Sequence, residues 1–201
     1  MKCNNILHIT DNYLYYKNKK RDIIKYKLPK DIVYGGKICN VQKFINIYNK
    51  FVNENHLNNS LLGDTIKVIV ATNYQESDKI FLKYILNTFN YRKIYIEKEI
   101  KYLKLNNTTA YISVYDNYLN ITFKDKYNKI NNIYIETNCF KNTNDLLEYI
   151  NYSTNDLEVC LFGSGELIKE IFSSLEEKFN KKTYIYNNHE TYIISKEKES
   201  N

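Results

Sequence analysis

The stretches HITDNYLYYK (residues 8–17) and SVYDNYLNITFK (residues 113–124) share the tetrapeptide Asp-Asn-Tyr-Leu. In each stretch a turn-forming Asp-Asn pair lies between two short runs of β-branched and aromatic residues, a pattern that predicts a β-hairpin. Asn and Tyr are common throughout the chain, so the tetrapeptide alone is weak evidence of a repeat. The elements around the two turns therefore decide whether the fold is duplicated.

The first turn is followed by a strand, a helix, a strand, a helix and a strand. In order, the predicted segments are DIIKYKL (22–28), a helix after the N-cap candidate Asn40, IKVIVAT (66–72), a helix from about Gln75 to Phe89, and KIYIE (93–97). Pro29, Gly35 and Gly36 interrupt the chain before the first helix. Both helices have apolar residues at three- and four-residue spacing, and those of the second include Ile80 and Tyr84.

The second turn is followed by the same order of elements. The segments are NIYIET (132–137), NTNDLLEYI (142–150) with Asn142 or Asn144 as its N-cap, LEVCLFG (157–163), a helix from Ser164 to about Phe179, and KTYIY (182–186). A repeat of the whole order β-β-β-α-β-α-β is much harder to obtain by chance than a tetrapeptide, so duplication is the better explanation. We predict an α/β protein with two tandem lobes, residues 1–103 and 104–201, each a mixed sheet covered by helices. The charged end of the chain, SKEKESN, is expected to be frayed.

The composition limits the class of protein. With 43% hydrophobic and 15% aromatic residues the chain can bury a core, so it is not a disordered segment. The formal charge of +6 comes mainly from lysine, since Arg21 and Arg92 are the two arginines, and it is a weak indication of an acidic partner. His8, His56 and His189 have no metal-ligand spacing, and we expect them to be structural or exposed.

The cysteines and the apolar runs indicate a compartment. The four cysteines are widely separated and form no zinc or redox pair, so reduced thiols are expected. No run has the character of a signal peptide or the length of a membrane span. We therefore expect a cytoplasmic protein, with any membrane association made through a partner.

Three segments resemble the bacterial cytoskeletal branch of the actin and sugar-kinase superfamily, which includes FtsA, PilM and MreB. Residues 28–52, LPKDIVYGGKICNVQKFINIYNKFV, look like the family's passage from the third strand into the first helix. Residues 68–103, VIVATNYQESDKIFLKYILNTFNYRKIYIEKEIKYL, are similar to its strand, helix, second strand and glutamate-bearing turn. Residues 159–179, VCLFGSGELIKEIFSSLEEKF, resemble its adenosine motif. The resemblance implies a minimal and degenerate actin-like protein.

The two Asp-Asn-Tyr-Leu turns depart from that family in a way that bears on function. In the family the first hairpin of each lobe carries glycines, which let backbone N–H groups approach the nucleotide phosphates. Here Tyr13 and Tyr118 lie where a glycine is wanted, while Asp11 and Asp116 remain as candidate ligands of Mg²⁺-bound water. The resemblance thus implies degraded phosphate turns, with no cofactor expected, and ATP with Mg²⁺ only if the site is intact.

Two further groups fall at positions that matter in the family. Gly163, Ser164 and Gly165 form a strand-to-helix junction of the kind that holds a nucleotide at a helix N-terminus. A tight turn that needs a flexible backbone is the simpler interpretation. Glu97 and Glu99 fall near the family's water-activating position, and solvated surface glutamates are again the simpler interpretation.

Three functions are compatible with the sequence. The first is a non-catalytic scaffold in a cell-shape, division or pilus-type assembly, acting through protein partners or self-association. The second is an active actin-like ATPase that uses Asp11 and Asp116 for Mg²⁺ and the Gly163–Gly165 turn for adenosine. The third is a basic nucleic-acid-binding protein, suggested by the lysines and the 21 tyrosines. The tyrosines are spread along predicted strands rather than grouped, which favours core positions over nucleic-acid stacking.

Overall fold

The structure, a computed structural model, describes residues 5–18, 23–57, 64–103, 105–115, 118–163 and 166–186. The chain divides into two units, the first running to Lys101 and the second beginning at Tyr102. The limits 1–103 and 104–201 stay predictions, because both ends of the chain and the tail SKEKESN lie outside the described residues.

The first unit is built on a five-stranded sheet with two helices. Its elements are β1 (Asn5–Ile9), β2 (Tyr13–Asn18), β3 (Ile24–Lys27), β4 (Val33–Tyr34), β5 (Lys37–Ile38), α1 (Val41–Glu54), β6 (Thr65–Val70), α2 (Glu76–Asn87) and β7 (Lys93–Lys98). The sheet order is β3-β2-β1-β6-β7, with β4 and β5 forming a separate two-stranded hairpin. The first three strands pair antiparallel, and β1, β6 and β7 pair parallel. The predicted meander followed by two helix-connected strands is confirmed.

The second unit has the same plan. Its elements are β8 (Thr109–Val114), β9 (Tyr118–Lys124), β10 (Ile130–Glu136), α3 (Thr143–Thr154), β11 (Glu158–Gly163), α4 (Glu166–Phe179) and β12 (Thr183–Tyr186). The sheet order β10-β9-β8-β11-β12 reproduces that of the first unit position by position. Its pairings are also antiparallel within the meander and parallel along β8, β11 and β12. The predicted duplication of element order is therefore confirmed.

The two Asp-Asn-Tyr-Leu turns occupy equivalent places in the two sheets. Tyr13 is the first residue of β2, and Tyr118 is the first residue of β9. In the first unit the N–H of Thr10 donates to the Tyr13 carbonyl at 3.0 Å, and in the second the N–H of Tyr115 donates to the Tyr118 carbonyl at 3.0 Å. The same hydrogen bond thus spans both turns, while Asp116 and Asn117 themselves lie outside the described residues.

One face of each sheet is covered by the helices of its own unit. The Asn40 side chain caps α1 by accepting the N–H of Lys43, and Asn142 caps α3 by accepting the N–H of Asp145, so Asn142 rather than Asn144 is the second cap. Residues at helical spacing on α1 enter the first core: Phe44, Tyr48, Phe51 and Val52. Full burial of a Phe or Val side chain contributes about 1.5–3 kcal/mol.

The prediction that the tyrosines occupy core positions holds for only part of them, since six described tyrosines are buried and seven are exposed. The buried ones are Tyr15, Tyr16, Tyr48, Tyr74, Tyr102 and Tyr118. Tyr48 donates to or accepts from the Tyr91 hydroxyl at 2.6 Å, which satisfies the polar end of a fully buried ring. Within the described residues no helix combines the length and the apolar character needed to cross a membrane.

Candidate functional site

The carboxylate of Asp11 follows the carboxyl end of β1, at the edge formed by the parallel strands β1, β6 and β7 of the mixed sheet, where ligands of α/β proteins usually bind. It is 4% exposed. Its Oδ1 accepts the backbone N–H of Gly36 at 2.7 Å, and its Oδ2 accepts the N–H of Gly35 at 3.1 Å. Each carboxylate oxygen of Asp11, the predicted ligand of metal-bound water, therefore accepts a hydrogen bond from a backbone amide of the same unit.

Those two amides belong to the β4–β5 hairpin, which was not predicted from the sequence. Gly35 and Gly36 have φ of 59° and 76°, a region that residues with a Cβ enter only at a cost. Two consecutive residues with positive φ form the tight turn preferred in two-residue hairpins. The Gly-Gly pair was the available signal, but it lies between strands of only two residues each.

A third segment completes this group. Asn73, which follows β6, donates its Nδ2 to the Gly35 carbonyl at 3.0 Å. Asp11, Gly35, Gly36 and Asn73, here called the Asp11 cluster, thus join the ends of β1 and β6 to the β4–β5 turn. The cluster is a set of short polar contacts that holds three loops together.

The turn after Asp11 is closed on itself. The N–H of Tyr13 donates to Thr10 Oγ1 at 3.2 Å, and the Thr10 hydroxyl donates to the Tyr13 carbonyl at 3.0 Å. The Tyr13 ring packs on Tyr15, with centroids 5.8 Å apart, and Lys25 Nζ lies 3.9 Å from the Tyr13 ring centroid. A phosphate cradle needs backbone N–H groups directed at the ligand. The N–H groups of Thr10 and Tyr13 are both directed within the turn rather than at a ligand.

A second polar contact lies on the opposite face of β1 from the helix-covered core. His8 Nε2 is 2.8 Å from Glu99 Oε1, and the two side chains are 0% and 2% exposed. Glu99 begins the short 3-10 helix Glu99–Tyr102 that follows β7. The interpretation of Glu99 as a surface residue is wrong, because its side chain is buried. The imidazole of His8 compensates a carboxylate that would be costly to bury alone. His8 is buried rather than exposed.

Glu97 has a different environment although it is only two residues away. Its carboxylate pairs with Lys67 at 3.7 Å and with Lys101, and it is 20% exposed. Such partly exposed pairs contribute little to stability. Glu97 thus fits the surface interpretation that Glu99 does not.

The remaining predicted site residues are only partly described. Gly163 is the last residue of β11, and α4 begins at Glu166, so the predicted strand-to-helix junction is present. Asp116, Ser164 and Gly165 lie outside the described residues. Among the residues that are described, no group of three His, Cys, Asp or Glu side chains is placed to hold a metal ion.

No family model and no curated protein matches this sequence. Solved structures do match it. MreB 5 of Spiroplasma citri bound to AMPPNP matches with a TM-score of 0.65 and 10% identity, over 98% of this chain and 96% of that chain. The fold is that of the actin-like ATPases.

Two further structures share the actin-like fold. The ethanolamine utilization protein EutJ from Carboxydothermus hydrogenoformans matches with a TM-score of 0.63 and 10% identity, over 90% of this chain and 84% of that chain. A Bacteroides thetaiotaomicron protein with an actin-like ATPase fold and unknown function matches with a TM-score of 0.59 and 13% identity, over 95% of each chain. At these identities the likeness concerns the fold, and function has to be argued from the site.

Proposed function

We propose that this protein is a non-catalytic member of the actin-like class that works by protein–protein contact in a bacterial cell-shape, division or pilus-type assembly. The observation that carries the proposal is that both oxygens of the Asp11 carboxylate accept hydrogen bonds from the N–H groups of Gly35 and Gly36. An Asp that positions a metal-bound water needs a carboxylate oxygen directed at the metal's hydration shell. Here both oxygens are directed at a structural turn.

The closed Asp11–Tyr13 turn supports the same conclusion independently. MreB 5 of Spiroplasma citri was solved with AMPPNP and with ADP, so that protein binds nucleotide. In this chain the Tyr13 N–H is bonded to Thr10 Oγ1, and the residue carries a large side chain where the family has a glycine. Phosphoryl transfer depends almost entirely on positioning and charge stabilisation, so a turn that cannot cradle phosphate removes much of the machinery.

An actin-like protein without hydrolysis can keep a structural role, because its lobes remain folded by their own cores. Each unit has its own buried apolar cluster, centred on residues such as Phe51 and Val68 in the first unit and Ile121 and Leu161 in the second. Scaffolding by the lobe surfaces is the function most compatible with this arrangement.

Phosphate release from Mg²⁺ and ATP by the full chain tests the proposal. We expect the wild-type rate to equal that of Asp11→Ala and of a buffer blank. Asp145→Ala, which changes an exposed Asp on α3, is the matched control, and circular dichroism of each variant verifies folding. A wild-type rate above the blank that is abolished in Asp11→Ala and kept in Asp145→Ala would establish the active-ATPase alternative instead.

A further inference from the structure

The helix α2 is apolar on two sides. Its inward side chains Leu82, Ile85 and Leu86 are buried in the first core. Its outward side also carries large apolar residues, with Ile80 71% exposed, Phe81 46% and Tyr84 74%. A helix at a protein surface normally presents polar residues to water. We call Ile80, Phe81 and Tyr84 the α2 stripe.

The preceding helix α1 does not share this feature. Its exposed positions are polar: Gln42, Lys43, Asn46, Asn49, Lys50, Asn53 and Glu54. On α3, Tyr149 and Tyr152 are also exposed, at 40% and 85%, so the α2 stripe is distinguished by its adjoining Ile and Phe rather than by an exposed tyrosine. Adjoining exposed apolar residues of this kind mark interaction surfaces.

A basic groove of about 290 Å³ adjoins the stripe. It is lined by Lys83, Asn87, Arg92, Lys93, Ile94 and Tyr95. Lys83 and Asn87 follow Ile80 at the three- and seven-residue spacing of one helical face, so the groove continues from the stripe toward β7. Its charged residues are three cations, and within the described chain none of the three forms an ion pair.

The acidic residues of α2 do not neutralise this surface. Glu76 pairs with Lys79 at 2.6 Å, and Asp78 pairs with Lys37 at 2.9 Å. The charge left along the stripe and groove is therefore positive. Arg92 is one of two arginines in a chain with 29 basic residues, and its planar guanidinium suits a carboxylate better than a lysine does.

We propose that the α2 stripe and the basic groove together form a docking surface for an amphipathic acidic segment of another protein. The apolar face of the partner segment lies on Ile80, Phe81 and Tyr84, and its carboxylates face Lys83, Arg92 and Lys93. This inference rests on the proposed scaffolding function and names one surface through which it acts. A second copy of this chain is disfavoured, because a two-fold contact through the same face brings the two sets of cations together.

A displayed library of random peptides, selected on the full chain, tests this surface. We expect enriched peptides to combine Glu or Asp with apolar residues at three- and four-residue spacing. The best peptide is then synthesised with a fluorophore, and its affinity is measured by anisotropy. Tyr84→Ala and the double variant Arg92→Gln, Lys93→Gln should each weaken binding about tenfold or more, since central anchor residues dominate binding energy.

Tyr127→Ala is the matched control, because Tyr127 is a tyrosine of similar exposure, 77%, in the second unit. Its affinity for the peptide should equal that of the wild type. The inference is overturned if no peptide is enriched or if the enriched peptides are neutral or basic. It is also overturned if Tyr84→Ala and the Arg92→Gln, Lys93→Gln variant bind the peptide as tightly as Tyr127→Ala does. It is also overturned if the wild type sediments as a dimer that Tyr84→Ala converts to a monomer.

The outcomes separate this inference from the proposed function. If the chain releases no phosphate and selects no acidic peptide, the α2 docking surface is overturned and the scaffolding proposal is retained. If the chain hydrolyses ATP and still binds acidic peptides through Tyr84, the non-catalytic proposal is overturned and the α2 docking surface is retained.

Discussion

The carboxylate of Asp11 accepts a 2.7 Å hydrogen bond from the backbone N–H of Gly36, across 25 positions of sequence. This contact joins the end of β1 to a turn whose two glycines have positive φ. Asp11, which resembles a ligand of metal-bound water, thus accepts two hydrogen bonds from this turn. The role of Asp11 can therefore be tested through stability as well as through activity.

Asp11→Asn should destabilise the first unit. One of the two acceptor oxygens becomes an NH₂ group, which faces the N–H of Gly35 or Gly36 and leaves a buried amide without an acceptor. Such a loss costs about 1–3 kcal/mol in the free energy of unfolding. Urea denaturation measures it, with Asp145→Asn as an exposed control that should change stability by less than about 0.5 kcal/mol. Equal stabilities of the two variants would contradict the structural role.

His8 and Glu99 should be energetically coupled. Glu99→Ala removes a buried acceptor and should lower the free energy of unfolding by about 1–3 kcal/mol. Glu99→Gln retains a hydrogen-bonding oxygen and should cost less. A double-mutant cycle with His8→Ala measures the coupling, which should fall within about 0.5–3 kcal/mol for residues in direct contact.

Glu97→Ala is the control for that cycle, since Glu97 lies on the same segment with a partly exposed side chain. Its effect should stay below about 1 kcal/mol, and its coupling to His8→Ala should be near zero. A coupling energy near zero between His8 and Glu99, or an equal coupling for Glu97, would show that the buried contact has no energetic weight.

Asp78 makes the start of α2 sensitive to acid. Burial alone raises the pKa of Asp78, but hydrogen bonding to the Gln75 N–H and the proximity of the Lys37 ammonium outweigh it, so the pKa lies below its ordinary value of 3.8. A carboxylate with a depressed pKa stabilises the folded state above its unfolded pKa and loses that effect as pH falls through the folded pKa. Asp78→Asn should therefore be less stable than the wild type at neutral pH.

The difference between wild type and Asp78→Asn should shrink as the pH falls below 3.8. Melting temperatures measured from neutral to acidic pH provide the comparison. Asp145→Asn, at the corresponding first turn of α3, follows the general acid response of the protein without the Lys37 contact. A constant difference between wild type and Asp78→Asn across this range would contradict the assignment.

The repeat of element order could be predicted from the sequence because each element has its own local signal. The Asp-Asn turns mark the two hairpins, and Asn40 and Asn142 mark helix starts by accepting an amide N–H three residues on. Turn and cap chemistry acts over a few residues, so it can be read without the fold.

The partners of Asp11 and the faces of α2 could not be predicted in the same way. The Asp11 carboxylate meets Gly35 and Gly36 only once the chain has folded. On α2, Ile80 and Tyr84 have the same spacing as Leu82 and Leu86, so periodicity predicts a helix but does not say which apolar face is buried. Burial by distant segments decides both features.

The most direct test of the central claim is the melting temperature of the full chain titrated with ATP and ADP in the presence of Mg²⁺. A nucleotide at one hundred times its dissociation constant would stabilise the folded state by about 2.7 kcal/mol. We predict no saturable rise, because the Asp11 carboxylate and the Tyr13 N–H are bonded within their own unit. A saturable rise in melting temperature that is reduced in Asp11→Asn and retained in Asp145→Asn would contradict the account.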